Sequence, residues 1–199
     1  MRILIVVILL ASIVQPALSD DLVLVEAESF KETGGWLVDQ QFIDQMGSPY
    51  LLAHGLGVPV EDASTKVSLA VEGNYRIWVR TRDWVATWGA PGAPGKFELI
   101  IDGKPLSTTF GTKGEKWHWH DGGVMRLNKE FMLSLHDLTG FEGRCDAILF
   151  CRDPEFQPPD GEPLKKLRAQ QLGWDLNPSD AGEFDLVVVG GGLAGTSAA

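Results

Sequence analysis

The chain has 199 residues and a formal net charge of −10. That length holds one full domain and a remnant of another once a leader is removed, and the acidic balance excludes nucleic acid, whose phosphate backbone would be repelled. With 23 glycines, 11 prolines and seven tryptophans, the composition fits a loop-rich β domain better than a helical one.

At the N-terminus Arg2 precedes an apolar run over residues 3–14, which Pro16 ends. Ala17-Leu18-Ser19 then places small residues at the −3 and −1 positions of a cleavage site before Asp20. This is the layout of a secretory signal peptide over residues 1–19, and it predicts a secreted or periplasmic protein. The run is short of the ~20 apolar residues of a membrane span; an uncleaved anchor is the alternative. No later segment is apolar enough to span a membrane.

Residues 22–152 read as strand after strand with turns between them. Residues 21–28 open the series and residues 66–71 alternate, then turn through Glu72-Gly73-Asn74. In residues 75–82, Tyr75, Ile77, Val79 and Thr81 share one face, and Arg76, Trp78, Arg80 and Arg82 the other. Residues 97–102 end in Asp102-Gly103, a strong hairpin signal. Residues 122–128, 130–137 and 145–151 supply three more strands. Short strands at this spacing, with no long amphipathic helix, predict a mainly β, antiparallel jelly-roll β-sandwich over residues 20–153. Cys145 and Cys151 on one continuous strand would stand about 20 Å apart at ~3.3 Å per residue. A disulfide needs about 7 Å or less between Cα atoms, so both read as free, small apolar residues.

Four pieces in order resemble a carbohydrate-binding module of the galactose-binding-like jelly-roll type. They are Val25-Glu-Ala-Glu28, Gly73-Asn-Tyr-Arg-Ile-Trp-Val-Arg80, the strand ending at Asp102-Gly103, and Asp146-Ala-Ile-Leu-Phe150. Xanthan-lyase-like and golvesin-like sandwich domains are similar, and they imply an accessory binding or docking role. The resemblance also implies a structural calcium held by the opening glutamates and the closing aspartate, here Glu26, Glu28 and Asp146. Calcium wants six to eight oxygens, carboxylates among them. The other reading leaves two glutamates of an edge strand pointing to solvent. Arg144-Cys145 before Asp146 departs from the pattern, and a nearby cation would replace the metal.

Indole faces stack on the apolar faces of sugar rings, and four tryptophans stand in loop-like sequence. Trp84 and Trp88 lie in a Pro/Gly-rich stretch, Trp117 and Trp119 in Lys116-Trp-His-Trp-His120. They read either as a carbohydrate platform or as aromatics that fill a core. His118 and His120 share a strand face but have no third ligand at a metal-binding spacing. No Ser-His-Asp set or carboxylate pair marks the sandwich as catalytic.

Residues 154–183 read as a linker, extended at first through Pro154, Pro158, Pro159 and Pro163, with a short helix over 164–172. Beyond it, residues 186–189 form an apolar β-branched run, followed by Gly190-Gly191-Gly192-Leu193-Ala194-Gly195 at G-x-G-x-x-G spacing and by Thr-Ser-Ala-Ala. A buried strand, a glycine turn and a helix N-terminus make a pyrophosphate cradle. The motif resembles the fingerprint of FAD-dependent oxidoreductases, which implies that residues 184–199 begin a Rossmann-type FAD or NAD(P) domain. Two readings therefore stand: the N-terminal part of an exported FAD-dependent oxidoreductase, or a non-catalytic carbohydrate-binding or adhesion module. The strand before the glycines favours the first.

Overall fold

The computed structural model describes residues 21–188 together with Ser197. In chain order the described strands are β1 (Leu22–Glu26), β2 (Leu37–Asp39), β3 (Tyr50–His54), β4 (Ala63–Ser68), β5 (Gly73–Thr81), β6 (Phe97–Ile101), β7 (Lys104–Pro105), β8 (His118–Leu127), β9 (Glu130–Asp137) and β10 (Phe141–Cys151). Helix α1 (Ile43–Met46) lies between β2 and β3, and α2 (Glu162–Leu172) follows β10. The strands form two sheets, one ordered β2-β3-β10-β5-β8 with β1 added against β10, the other β4-β9-β6-β7. Every pairing among the described residues is antiparallel.

Strand β10 is the hub of the larger sheet. Residues from Phe141 to Cys145 pair β3 and those from Ala147 to Cys151 pair β1, while β5 runs along the opposite edge. Alternation on β5, β6 and β9 sends Tyr75, Ile77, Val79, Phe97, Leu99, Ile101, Phe131, Leu133 and Leu135 between the sheets, where they meet Ile148 and Phe150. Each fully buried side chain of this size contributes roughly 1.5–3 kcal/mol, and this layer holds the two sheets together. The Asp-Gly signal is a turn between β6 and β7, with Asp102 at φ 47 and Gly103 at φ 74. Strands β2 and β3, and the start of β4, fall in residues 29–65, where the sequence pattern specified none.

The larger sheet is buried on its outer face as well. Leu24, Trp78, Ala147, Leu149 and Cys151 form a second apolar layer there, capped by Trp119, Phe156 and Leu167. Burial on both faces explains why the second half of β10, Ala147 to Cys151, is an unbroken apolar run. The pairing of β10 with β5 shifts register between Cys145 and Ala147. This bulge sends Cys145 into the inner core and Cys151 into the outer layer. Both thiols are buried and free.

The segment after β10, read from sequence as a linker toward a further domain, packs back on the sandwich. Trp119 Nε1 donates to the Pro159 carbonyl at 3.0 Å, and Arg76 Nη1 to the Pro154 carbonyl at 2.7 Å. Helix α2 then buries Leu164, Arg168 and Ala169. Of the buried strand expected at 186–189, Leu186 and Val187 are 65% and 68% exposed and lie in no strand, and Val189 lies outside the described residues. An apolar run becomes a strand only beside a neighbour that completes its hydrogen bonds, and the described residues offer none. Gly190 to Gly195 lie outside the described residues.

Candidate functional site

One end of the sandwich gathers the loops 55–62, 82–96, 111–117 and 138–140. Two hydrogen-bonded turns stiffen it. Asp137, buried at the end of β9, accepts from the backbone N–H groups of Val60, Thr139 and Gly140 at 2.9–3.1 Å. Asp83 accepts from the Val85 N–H at 3.2 Å, ahead of a single 3-10 turn over Ala86–Trp88 closed by Gly89 at φ 62.

That turn sets two indoles edge to face. Trp84 and Trp88 have ring centroids 5.9 Å apart at 78°. Trp84 is half-buried and donates through Nε1 to the Phe141 carbonyl at 3.0 Å, with the Arg144 guanidinium 5.3 Å from its ring. A Cβ at Gly95 would lie 3.0 Å from the Trp84 ring and 2.9 Å from the Glu142 carbonyl, so only glycine lets the loop close here. Trp88 is 71% exposed. Beside this pair lie the exposed Phe141 ring and the Leu56–Gly57 turn against it.

Polar groups stand beside the aromatics. His54 Nδ1 contacts the Glu142 carboxylate, which also meets Arg144 Nη2 at 3.2 Å. Arg82 Nη2 donates to Thr87 Oγ1 at 3.0 Å. Burial, and then the nearby Arg144 charge, hold the Arg82 guanidinium below its ordinary range. Glu142 has φ 64, a left-handed backbone for a residue with a side chain. It sits in the irregular pairing between Phe141 and Gly143, and such strain collects at ligand-facing positions.

The structure parts the four tryptophans. Trp117 is 7% exposed and packs edge to face against Tyr50 at 5.1 Å and Phe42 at 6.1 Å. Trp119 covers the outer layer. Trp84 supports, and Trp88 is displayed. His118 and His120 stack at 5.9 Å on one face, as their spacing required. Burial, with the Lys113 charge, lowers the affinity of His120 for a proton.

Glu26, Glu28 and Asp146 converge below the outer face of the larger sheet, around an arginine from α2. Arg168 Nε stands 2.7 Å from Glu26 Oε1, and its Nη2 donates to Glu26 Oε2 at 3.1 Å and to Asp146 Oδ2 at 2.7 Å. Its Nη1 donates to the Met46 carbonyl. Asp146 also accepts from Arg80 at 3.1 Å and from the Ser48 hydroxyl at 3.1 Å, and Arg80 Nη2 meets Asp160 at 2.9 Å. Burial pushes the Glu26 carboxyl up to about 8 and that of Glu28 to about 7, and it raises Asp146 as well. Sequence reasoning missed Arg168. Its one signal was a charge placed four residues after Leu164, on the buried stripe of the helix. Among the described residues no group of three or more His, Cys, Asp or Glu side chains is placed to hold a metal ion.

No protein-family model matches the sequence, and no curated protein matches it. Solved structures do match the fold. A GH26-CBM35 β-(1,4)-mannanase from Podospora anserina is similar over 70% of this chain at 19% identity and a TM-score of 0.52. The chain spans 30% of that enzyme's length. A family 35 carbohydrate binding module from Clostridium thermocellum is similar over 65% of this chain and 96% of its own, at 15% identity and a TM-score of 0.50. The chain has the β-sandwich fold of carbohydrate-binding modules. This corrects the reading of a FAD-binding Rossmann flavoprotein: the described residues form an antiparallel β-sandwich with the fold of those modules, and Leu186 and Val187, which suggested a nucleotide-binding strand, are exposed and lie in no strand. No helix among the described residues is long and apolar enough to cross a membrane.

Proposed function

We propose that the protein is a carbohydrate-binding module whose ligand stacks on Trp88. The observation that carries this reading is the exposure of the Trp88 indole in the loops at one end of the sandwich, braced edge-on by Trp84, while Trp117 and Trp119 are spent on packing. An indole face offers a flat apolar surface for the C–H face of a sugar ring, and loops held by a rigid sandwich are where such surfaces are displayed. His54, Glu142 and Arg144 supply donors and acceptors for hydroxyl groups beside it. The role is binding, and the mannanase and the family 35 module with the same fold support it.

Titration with soluble polysaccharides, a β-(1,4)-mannan among them, tests the proposal through tryptophan fluorescence. Quenching that saturates in the native protein and is lost in Trp88→Ala, at an unchanged melting temperature, is the expected result. Equal quenching in the variant removes Trp88 from the site. No response to any polysaccharide removes the function.

A further inference from the structure

The carbohydrate-module resemblance implies a calcium ion between the first and last strands, held by Glu26, Glu28 and Asp146. These residues do not fit one here, because the space between them already holds a cation. Both Glu26 oxygens and Asp146 Oδ2 are engaged by Arg168 at 2.7–3.1 Å. A fourth oxygen that would suit a metal, the Met46 carbonyl, accepts from the same guanidinium. Calcium needs six to eight oxygens at about 2.3–2.6 Å, and it would have to sit on top of a buried positive charge to reach them. Metal and guanidinium exclude each other at this place.

We propose that Arg168 is a built-in cation that joins the opening and closing strands in place of a divalent metal, so that the sandwich depends on α2 instead of on calcium. The arginine that precedes Asp146 in sequence does not take this role: Arg144 turns toward Glu142 and the Trp84 ring. Arg80 also contacts Asp146, but it shares its charge with Asp160 and does not meet Glu26. Among the described residues, Arg168 is the arginine that contacts both Glu26 of β1 and Asp146 of β10, and it arrives there because residues 154–161 cross the outer face and deliver α2 above the bulge at Asp146. A guanidinium suits the job. Its Nη2 hydrogen-bonds both carboxylates while Nε stands 2.7 Å from Glu26 Oε1, and it keeps its charge when buried.

The cluster remains short of positive charge even so, since burial leaves Glu26 and Glu28 holding protons far above the usual carboxylate range. Withdrawal of the guanidinium leaves Glu26 and Asp146 without the cation they share, and added calcium is the ion offered in its place.

The test is the melting temperature of the full chain in calcium chloride and in EDTA, for the native protein, Arg168→Ala and Arg168→Lys. The native protein is expected to melt within about 1 °C under both conditions. Arg168→Ala should melt more than about 6 °C lower in EDTA and recover in calcium. Arg168→Lys, which keeps one charge and loses the fork, should fall between the two and ignore calcium. A native melting temperature that rises with calcium and falls with EDTA overturns the proposal, as does an Arg168→Ala protein as stable as the native one in EDTA. Because none of these readings involves sugar, their failure is distinct from failure of the binding function.

Discussion

Trp119 Nε1 lies 3.0 Å from the carbonyl oxygen of Pro159, forty residues further along the chain. The bond fastens the connector across the larger sheet and satisfies the one polar atom of an indole that otherwise packs on Trp78, Leu149 and their neighbours. A tryptophan in loop-like sequence thus serves adhesion between two parts of the same chain, and its surroundings decide its role.

Substitution should separate the tryptophans by consequence. Trp117→Ala is expected to cost about 3–5 kcal/mol, since it empties a site enclosed by Tyr50 and Phe42. Trp88→Ala should change stability by less than about 0.5 kcal/mol, as an exposed residue with one ring contact. Urea denaturation of both variants measures the contrast.

Asp146→Asn should destabilise strongly, by about 3–5 kcal/mol, because it leaves Arg80 and Arg168 buried without their common partner. Joining it to Arg168→Met should cost much less than the sum of the two single changes, since each removes what the other needs. A double-mutant cycle in which the two effects simply add would show that the residues act independently.

The raised carboxyls make stability depend on pH in a set direction. Unfolded, Glu26 and Glu28 titrate near 4.5; folded, near 8 and 7. The folded state therefore binds more protons between these values, and its advantage is complete below pH 4.5 and lost as pH rises through 7 and 8. His120 has a folded value below 6.5 and is neutral in both states above about pH 7.5, while burial raises the Cys145 and Cys151 thiols and brings them into play only toward pH 9. Thermal melts from pH 6.5 to 8 should show a falling melting temperature. Glu26→Gln should flatten that curve between about pH 7 and 8.

Gly140 holds the turn behind the aromatic site at φ 68, where an added Cβ would lie 2.1 Å from the Val58 carbonyl oxygen. Gly140→Ala should lower the melting temperature by more than about 4 °C and weaken polysaccharide binding with it, because the turn leads directly into Phe141 and Glu142. Calorimetric melts of native and variant protein, followed by the same fluorescence titration, check both effects.

The strands that reported themselves in the sequence were those with one wet face or a marked turn. β6 carries Asp102-Gly103 at its end, and β9 alternates cleanly from Phe131 to Leu135. β3 was silent because Tyr50 to Ala53 are buried throughout, and a four-residue apolar run has no period. β2 was silent because Leu37 and Val38 are exposed and only pairing with β3 makes them a strand. In the aromatic loops, the sequence named the tryptophans but not their burial, since an indole on display and an indole in a core are spelled alike. The carboxylates of the ion cluster were legible from their resemblance. Their counter-charge was not, because a helical arginine reads as solvent-facing until the tertiary fold buries it. The glycine motif shows the reverse case, strong local sequence preceded by a run that finds no sheet.

Strand β10 joins three others, and the first of them, β1, waits for it across more than a hundred residues: Leu22 pairs with Cys151. During synthesis the opening strand therefore emerges with no partner, and the middle of the larger sheet stays open until residue 151 has left the ribosome. The smaller sheet has no such delay, because β4, β6 and β9 lie within 75 residues of one another (63 to 137). Pairings between distant segments form late and slowly, so the pairing of β1 with β10 belongs to the closing step, and the site carried by β3, β5 and β10 is completed with it.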